Sequence, residues 1–375
     1  MRPRFKPDKE GEPAYTGISQ SAIREMALCA ELRHPSIIPH VETFLQDKSI
    51  YMVFSYCEHD LLQLIHHHSQ TLRAAMPAST VRSIAHQILQ GCAYLHAQWV
   101  VHRDLKPANV MVSASGRVAI GDLGLARAFR EPPAPLYAGD KVVVTIWYRA
   151  PELLLGGRHY TPAVDLWAVG CIVAELLALR PAFKGDEAKV DAKKTVPFQR
   201  NQVQKIADVL GFPAQRDWPL LPAYPEYPQL QGMLPGLRAS QHQQQHQQQQ
   251  QQPQPQRPTG LRAWFDGALA GGAYAAADAG DGGASYELLR TEGFALLAAL
   301  LTYDPERRLT AERALGHAYF AREPAPSADC FEGGGVAYPK RKISQEDNPA
   351  SLPGTKRSGL PDDSVVRPGK RVREG

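Results

Sequence analysis

Three short polar motifs, which occur in a fixed order, constrain this sequence more than any other feature. HRDLKPAN spans residues 102–109, GDLGLAR spans 121–127 and APE spans 150–152. Any one of these strings alone would be weak, but three in order at ordinary separations leave little room for chance. We therefore expect the loops that carry them to form one functional site.

The side chains in the first two motifs suit chemistry on a phosphate group, which needs positioning and charge neutralisation more than covalent catalysis. Asp104 is suited to accept the proton of a hydroxyl, and Lys106, two residues later, to face a phosphate. Asn109 and Asp122 supply the hard oxygen ligands that Mg²⁺ prefers. A single Asp or Asn in a loop usually caps a turn, but the complete set favours catalysis.

Together the motifs resemble those of the eukaryotic protein kinases. The resemblance implies an α+β, bilobal protein-kinase fold with a small β-sheet N-lobe and a mostly helical C-lobe, and it implies ATP and Mg²⁺ as cofactors. The residue pattern agrees with that order of elements. SIYMVFSY (49–56) predicts a strand, and STVRSIAHQILQGCAYLHAQ (79–98) carries apolar residues at helical spacing.

Further stretches narrow the resemblance to the cyclin-dependent kinases. SQSAIRE (19–25) is similar to their PSTAIRE helix, and residues 142–177 resemble the end of their activation segment and their central helix. YCEHDL (56–61) and GGVAYPKR (334–341) resemble the Mediator-associated, cyclin C-dependent branch. This implies a C-type cyclin and Mediator kinase-module subunits as partners, and protein substrates such as the RNA polymerase II C-terminal repeat.

The resemblance assigns further residues position by position. For the nucleotide it implies Phe54 as the gatekeeper and residues 55–57, with Tyr56 and Cys57, as the hinge that hydrogen-bonds adenine. It also implies Asp60 as a ribose ligand and Met111 as the floor beneath the base. For the activation segment it implies three arginines around one acidic side chain, namely Arg24, Arg103, Arg127 and Asp140. For the substrate, which is expected to carry Ser or Thr followed by Pro, it implies Val144, Thr145 and Arg149.

Two further assignments concern the scaffold rather than the chemistry. The resemblance implies that Glu152 pairs with Arg308 and that Asp165 anchors the catalytic loop. A buried ion pair is as often architecture as chemistry. We therefore expect these three residues to hold the site together.

Glu25 lacks an obvious cationic partner in the sequence. In the kinase pattern this glutamate pairs with the lysine of V-A-I-K, which follows a G-x-G-x-x-G loop, and neither motif is present. Lys6 precedes Glu25 by nineteen residues (25 − 6), but the preceding MRPRF contains a proline where an apolar strand should run. We therefore expect an N-terminally incomplete kinase sequence. Two functions stay open: a serine/threonine kinase, or a catalytically impaired module that still binds cyclin and Mediator subunits.

The chain is expected to have three regions. The resemblance implies a partial N-lobe over residues 1–57 and the C-lobe over 58–330, and composition predicts a Gln/Pro-rich insertion in the C-lobe at about 238–258. Residues 331–375 are rich in Gly, Pro, Ser, Lys and Arg, which predicts a disordered basic tail. Two basic pairs separated by a spacer in 355–374 are typical of a nuclear import signal.

The remaining features exclude other classes. A net charge of +4 is too small to predict direct nucleic-acid binding, and no apolar stretch is long and uninterrupted enough to predict a membrane span or signal peptide. The five cysteines form no C-x-x-C pair, so we expect reduced and mostly buried thiols. IHHHS (65–69) is a weak metal candidate, because three consecutive histidines cannot share one face, and we expect an exposed loop.

Overall fold

A helix and an antiparallel strand pair come first in the fold. In the computed structural model of the chain, the structure describes residues 18, 20–46, 49–129, 146–157, 161–188, 197–234, 260–271, 283–333, 335–336 and 338. Helix α1 (Gln20–Glu31) precedes β1 (His40–Gln46), and β1 pairs with β2 (Ser49–Phe54). The strand predicted over 49–56 is therefore confirmed.

Short strands that follow this pair in the chain position the motifs HRDLKPAN and GDLGLAR. Strand β3 (His59–Asp60) pairs with β5 (Val110–Val112), which pairs with β6 (Val118–Ile120), all antiparallel. Strand β4 (Val100–Val101) pairs with β7 (Arg127–Ala128). As a result, the loop after β4 and the loop after β6 are brought to the same side of the fold.

Helices are the main regular structure of the described chain after β3. They are α2 (Leu61–His66), α3 (Ala78–Ala97), α4 (Pro151–Leu154), α5 (Ala163–Ala178), α6 (Arg200–Leu210), α7 (Tyr227–Gln231), α8 (Gly260–Gly271), α9 (Ala284–Leu288), α10 (Phe294–Leu300), α11 (Ala311–Leu315) and α12 (Ala318–Ala321). Helix α3 covers almost all of the stretch 79–98, so that prediction is confirmed.

The hydrophobic core lies between α3 and α5. Ile84, Ile88 and Leu95 of α3 are fully buried, and so are Leu166 and Trp167 of α5. Each fully buried Leu or Ile contributes roughly 1.5–3 kcal/mol relative to an exposed one. Early strands followed by a helical body are the α+β organisation that the sequence predicted.

The histidine stretch differs from the prediction. Residues 65–69 are not an exposed loop, because Ile65 and His66 end α2 and a π-helical turn covers His67–Leu72. His68 is fully buried. Burial is tolerated because Nδ1 of His68 lies 3.1 Å from the carbonyl oxygen of Ala74 and Nε2 lies 2.8 Å from the hydroxyl of Tyr338.

Packing of the helical body also continues past the predicted boundary at residue 330. The Tyr338 ring lies 4.6 Å from the Phe331 ring, measured between centroids. Both side chains are partly buried and pack against the core, which was not expected of the tail predicted over 331–375. The first residues of that region therefore belong to the packed fold, and residues 339–375 lie outside the described part of the chain.

Three other expectations concern the cysteines, metal binding and membrane-spanning helices. The cysteines are free thiols, and all but Cys57 are buried, as predicted. No cluster of three His, Cys, Asp or Glu side chains in the described ranges is arranged to hold a metal ion. In the same ranges no helix combines the length and apolarity needed to cross a membrane.

Candidate active site

Asp165, in the first turn of α5, anchors the loop that follows β4. Its carboxylate accepts hydrogen bonds from the backbone N–H groups of His102 and Arg103, both at 2.9 Å, and lies 2.9 Å from Nε2 of His96. Burial alone would raise the pKa of Asp165, but the bond from His96 and the neighbouring positive charge keep that pKa below its usual value. The structure therefore places Asp165 where the sequence predicted an anchor.

His102 joins the two catalytic loops. Its Nε2 lies 2.9 Å from the carbonyl oxygen of Gly121, and its Nδ1 accepts from the Asp104 N–H at 3.2 Å. A carbonyl oxygen accepts only, so the proton is on Nε2 and Nδ1 is the acceptor. His96 and His102 were not assigned these roles from sequence, because a single histidine in a motif does not show what it contacts.

The predicted catalytic side chains lie together. Nζ of Lys106 donates to Oδ2 of Asp104 at 2.8 Å, and Nδ2 of Asn109 donates to the same oxygen at 3.1 Å and to the Asp104 backbone oxygen at 2.8 Å. The short 3₁₀ turn Pro107–Asn109, which starts with proline, turns the chain back toward Asp104. Burial raises the pKa of Asp104, and the charge of Lys106 opposes that rise.

Two oxygens in this cluster suit an additional partner. Oδ1 of Asp104 and Oδ1 of Asn109 are buried and have no hydrogen-bond partner among the described residues. An unsatisfied buried oxygen is costly unless something binds it. A hydroxyl proton at Asp104 and a divalent cation at Asn109 fit these two atoms, because hard cations prefer carboxylate and amide oxygens.

Asp122 lies beside this cluster in a strained backbone conformation. The N–H of Gly121 donates to the Asn109 backbone oxygen at 2.8 Å, which brings the next residue close to Asn109. Asp122 has φ +61° and accepts from the Gly124 N–H at 3.3 Å. Such left-handed conformations cost of order 1–3 kcal/mol and concentrate at functional sites.

Glu25 of α1 lies against the turn that follows Asp122. A side-chain carbon added to Gly124 would lie 3.3 Å from Oε2 of Glu25 and 3.2 Å from Oδ1 of Asp122, so the two carboxylates face the same small space. Burial, and secondly repulsion from Asp122, raise the pKa of Glu25 to about 7. Burial and the charge of Asp122 therefore outweigh the contribution that lowers the pKa of Glu25.

The predicted gatekeeper and hinge residues lie at the end of β2 and in the segment between β2 and β3. Phe54 ends β2 and packs edge-on to His40, and the Ser55 N–H donates to the Pro39 oxygen at 2.8 Å. Tyr56 is exposed. Cys57 is partly buried, and this burial, together with the smaller effect of the Glu58 charge, raises the pKa of its thiol to about 11.

Asp60 and Met111 are paired across β3 and β5. Asp60 also caps α2, since its carboxylate accepts from the backbone N–H of Gln63 at 2.9 Å and from the Gln63 side chain at 3.1 Å. A ribose contact at Asp60 would have to compete with this cap. Its assignment as a ribose ligand stays a prediction.

The predicted activation-segment residues are only partly described. Arg24 lies on α1, which contacts the turn Leu123–Leu125, and Arg127 pairs with Val101, two residues before Arg103. Arg103 has φ +71°. Arg149 is buried, and its N–H donates to the Ile146 oxygen at 3.1 Å. The other members of the predicted set, Asp140, Val144 and Thr145, lie outside the described residues.

The predicted scaffold pair lies in the core, as expected. Arg308 makes two hydrogen bonds to the Glu152 carboxylate, at 2.8 and 2.9 Å. A second buried acid, Glu175 of α5, accepts from the Tyr148 hydroxyl at 2.6 Å. The only sign of this second pair in the sequence is the position of Glu175 within an apolar helix.

Known proteins resemble this chain over nearly all of its length. Residues 6–320 match the family model of the protein kinase domain. Serine/threonine-protein kinase SSN3 of Phaeosphaeria nodorum is 59% identical over 376 residues, which cover 99% of this chain and 81% of that protein. SSN3 of Chaetomium globosum is 59% identical over 385 residues, which cover 99% of this chain and 73% of that protein.

A solved structure resembles the fold. The chain in the crystal structure of the yeast RNA Pol II CTD kinase CTDK-1 complex is 25% identical, with a TM-score of 0.64, and the match covers 84% of each chain. The predicted bilobal kinase fold is thereby confirmed. A protein kinase domain also implies the use of ATP and a divalent metal ion. The chain belongs to the protein kinase domain family and is a serine/threonine-protein kinase.

Proposed function

We propose that this chain is a cyclin-dependent serine/threonine kinase of the Mediator kinase-module type. It transfers the γ-phosphate of ATP to Ser or Thr followed by Pro, in substrates such as the RNA polymerase II C-terminal repeat and transcription factors. The observation that carries this proposal is the cluster of Asp104, Lys106 and Asn109 beside Asp122. The SSN3 relatives and the CTD kinase neighbour support the transcription-related substrate class.

Each catalytic side chain has a distinct role in this account. Asp104 accepts the hydroxyl proton of the substrate at Oδ1, the oxygen that its neighbours leave free of hydrogen bonds. Lys106 neutralises negative charge on the transferred phosphate from a position 2.8 Å from Asp104. Asn109 and Asp122 would hold Mg²⁺, which would neutralise negative charge on the phosphate groups.

A cyclin partner is supported by exposed apolar groups on α1 and β1. Ile23 of α1 is 51% exposed, and Val41 and Leu45 of β1 are 62% and 70% exposed. The two elements contact each other. Exposed apolar patches of this kind mark protein-binding surfaces. We expect a C-type cyclin to bind here and to fix α1, and thereby Glu25, against the turn after Asp122.

The experiment that tests this function measures cyclin binding and peptide phosphorylation together. The full chain is purified with and without a C-type cyclin, and phosphate transfer to a Ser-Pro peptide is measured. Ile23→Glu should abolish both co-purification and stimulation. Leu220→Glu is the control, because Leu220 is 54% exposed but lies far along the chain, between α6 and α7. Full activity of the chain without any cyclin would contradict the proposal.

The family pattern at Val144 and Arg149 supports a preference for proline after the acceptor. In the family pattern the residue after the acceptor finds no partner for its N–H, and proline lacks that N–H. We therefore expect Ser-Pro and Thr-Pro peptides to be preferred over otherwise identical peptides with alanine in place of proline. Equal rates for the two peptide sets would remove this part of the proposal.

Nuclear residence is the expected location. Two basic pairs in 355–374 support it on sequence grounds, and the CTD kinase neighbour supports a role in transcription. Deleting 355–374 should reduce nuclear accumulation when no partner carries the protein. Unchanged accumulation under that condition would show that these residues do not act as the signal.

One observation favours the alternative, a catalytically impaired module that binds cyclin and Mediator subunits. Glu25 and Asp122 face the same small space beside Gly124, whereas in the kinase pattern this glutamate pairs with a lysine that holds the phosphates. Titration of the cyclin-bound chain with ATP and Mg²⁺ separates the two. Saturable nucleotide binding without phosphate transfer, or no binding, favours the module.

A further inference from the structure

The chain continues along the helical body after the match to the kinase family model ends at residue 320. We refer to residues 322–338 as the C-terminal strap, of which 322–333, 335, 336 and 338 are described. The strap runs from the end of α12 to the turn between α2 and α3. It thereby connects α12 with the segment that follows β2.

Buried polar groups of α3 hold the first half of the strap. Ser83 Oγ accepts from the Ser327 N–H at 3.0 Å, and the Gln87 side chain donates to the backbone oxygens of Ser327 and Ala328 at 3.3 and 3.2 Å. Arg82 donates to the Arg322 backbone oxygen. Polar side chains on the buried face of a helix are costly without such partners, so the face of α3 is built to receive the strap.

The middle of the strap fits against a glycine in the β5–β6 turn. The Cys330 N–H donates to the Gly116 oxygen at 3.0 Å. Gly116 has φ +67°, and a side-chain carbon there would lie 2.6 Å from the Cys330 nitrogen and overlap the Asp329 carboxylate. Close approach of the strap therefore requires the absence of a side chain at residue 116.

The end of the strap contacts the segment that carries the proposed nucleotide residues. The Tyr338 hydroxyl lies 2.8 Å from Nε2 of His68, and its ring lies 6.2 Å from the ring of His59 and 5.8 Å from that of His67. Because a carbonyl oxygen only accepts, Nδ1 of His68 donates to the Ala74 carbonyl. In the neutral imidazole Nε2 is then the acceptor, and it accepts from the Tyr338 hydroxyl.

His59 links this contact to the nucleotide site. It lies in β3, between Cys57 and Asp60, and pairs with Val112 of β5, next to Met111. The helix that follows, α2, begins directly after Asp60 and leads into the turn with His68. Tyr338 therefore supports β3 and the turn after α2 through its contacts with His59, His67 and His68.

We propose that Tyr338 is a positioning residue for the nucleotide, which holds the segment from Cys57 to Asp60 against β5 through its contacts with His68 and His59. The proposal rests on the assignment of this segment as the adenine and ribose site. It does not require that the chain phosphorylate any particular substrate. The strap is thus a part of the kinase that acts on nucleotide affinity rather than on the peptide.

The test uses the full chain with its cyclin and measures nucleotide affinity directly. Tyr338→Ala should raise the Kd for a fluorescent ATP analogue, and the KM for ATP, about two- to tenfold, the range expected for loss of one hydrogen bond and its packing. The KM for peptide and kcat should stay unchanged. Amide hydrogen exchange should increase in residues 57–64. Tyr303→Phe is the control, because it removes a tyrosine hydrogen bond to the Gly211 oxygen elsewhere in the helical body.

A second pair of variants displaces the strap without touching Tyr338. Gly116→Ala should reproduce the loss of nucleotide affinity through the clash with the strap. Gly211→Ala should not, since Gly211 has φ +80° but no atom within 4 Å of an added side-chain carbon. Loss of kcat with unchanged nucleotide affinity, or faster exchange at 57–64 with unchanged affinity, would overturn the proposal. The binding measurement decides this even if no phosphate transfer is detected.

Discussion

The guanidinium group of Arg308 forms two parallel hydrogen bonds with the Glu152 carboxylate, at 2.8 and 2.9 Å, and both side chains are buried. Arg308 also donates to the backbone oxygens of Thr302 and Ala163 and lies over the Trp167 ring. Every polar atom of the guanidinium group is therefore engaged. The pair joins the APE motif to the C-terminal helices.

Removing one partner of this buried pair should strongly destabilise the chain. Glu152→Gln leaves the Arg308 charge uncompensated in the core, and we expect a loss of about 3–5 kcal/mol in the free energy of unfolding. Asp217→Asn is the matched control, because the Arg216–Asp217 pair is exposed and such pairs contribute about 0–1 kcal/mol. Urea unfolding measures both. Equal effects of the two variants would contradict this account.

Asp104→Asn should abolish most of the catalysis without weakening nucleotide binding. The amide keeps the shape of the side chain but cannot accept a hydroxyl proton as a base, so kcat should fall about 10²–10⁴-fold. The KM for ATP should not change. Asp266→Asn, which removes an acid from the exposed pair with Arg262, should leave kcat unchanged. A wild-type kcat in Asp104→Asn would show that Asp104 is not the base.

Glu175 should make stability depend on pH. Burial raises its pKa to about 7 from an ordinary value of 4.5, and the bond from Tyr148 opposes the rise. The folded state therefore binds more protons between these values, so the stability contributed by this group is full below pH 4.5 and is lost as pH rises to about 7.

Glu175→Gln tests this pH dependence. The amide oxygen still accepts from Tyr148 but does not titrate. Unfolding measured at about pH 5 and about pH 8 should show that the variant loses less stability on going to the higher pH than the wild type does. Parallel losses in the two proteins would mean that Glu175 does not titrate in this range.

Asp140 should replace an activating phosphate only in part. Three arginines, Arg24, Arg103 and Arg127, are predicted to surround Asp140. One carboxylate carries a single charge, whereas a phosphate carries about −1.5 to −2 and has three acceptor oxygens. We expect wild-type activity without phosphate on the segment but only with the cyclin bound. Asp140→Ala should lower that activity, and Asp140→Thr should regain it only when phosphorylated. An essential phosphothreonine in the wild type would contradict the prediction.

The catalytic cluster was predictable because short-range geometry sets it. Asp104, Lys106 and Asn109 lie within six residues of one another (104 to 109), so the loop and its 3₁₀ turn are enough to bring them together. Helix α3 was predictable for the same reason, since its apolar spacing is local. The alignment of Asp122 with Asn109 depends on the hydrogen bond from the Gly121 N–H to the Asn109 oxygen, which continues the β5–β6 pairing, and on the contact of His102 with the Gly121 oxygen.

Long-range contacts explain what the sequence did not predict. His68 was expected in an exposed loop because three consecutive histidines cannot share one face, but its burial depends on Tyr338, which is 270 residues away in sequence. The Tyr148–Glu175 bond likewise joins two elements that no local pattern connects. Asp60 was assigned to ribose, yet its capping bond to Gln63 is visible only once α2 starts there.

The most direct test of the central claim is transfer of labelled γ-phosphate from ATP to a Ser-Pro peptide by the purified chain with a C-type cyclin. The account predicts cyclin-stimulated transfer to the serine that is lost in Asp104→Asn and in Asp122→Asn, while both variants still bind the cyclin. Failure of the cyclin-bound wild type to transfer phosphate above the level of Asp104→Asn, with Mg²⁺ and ATP present, would contradict it.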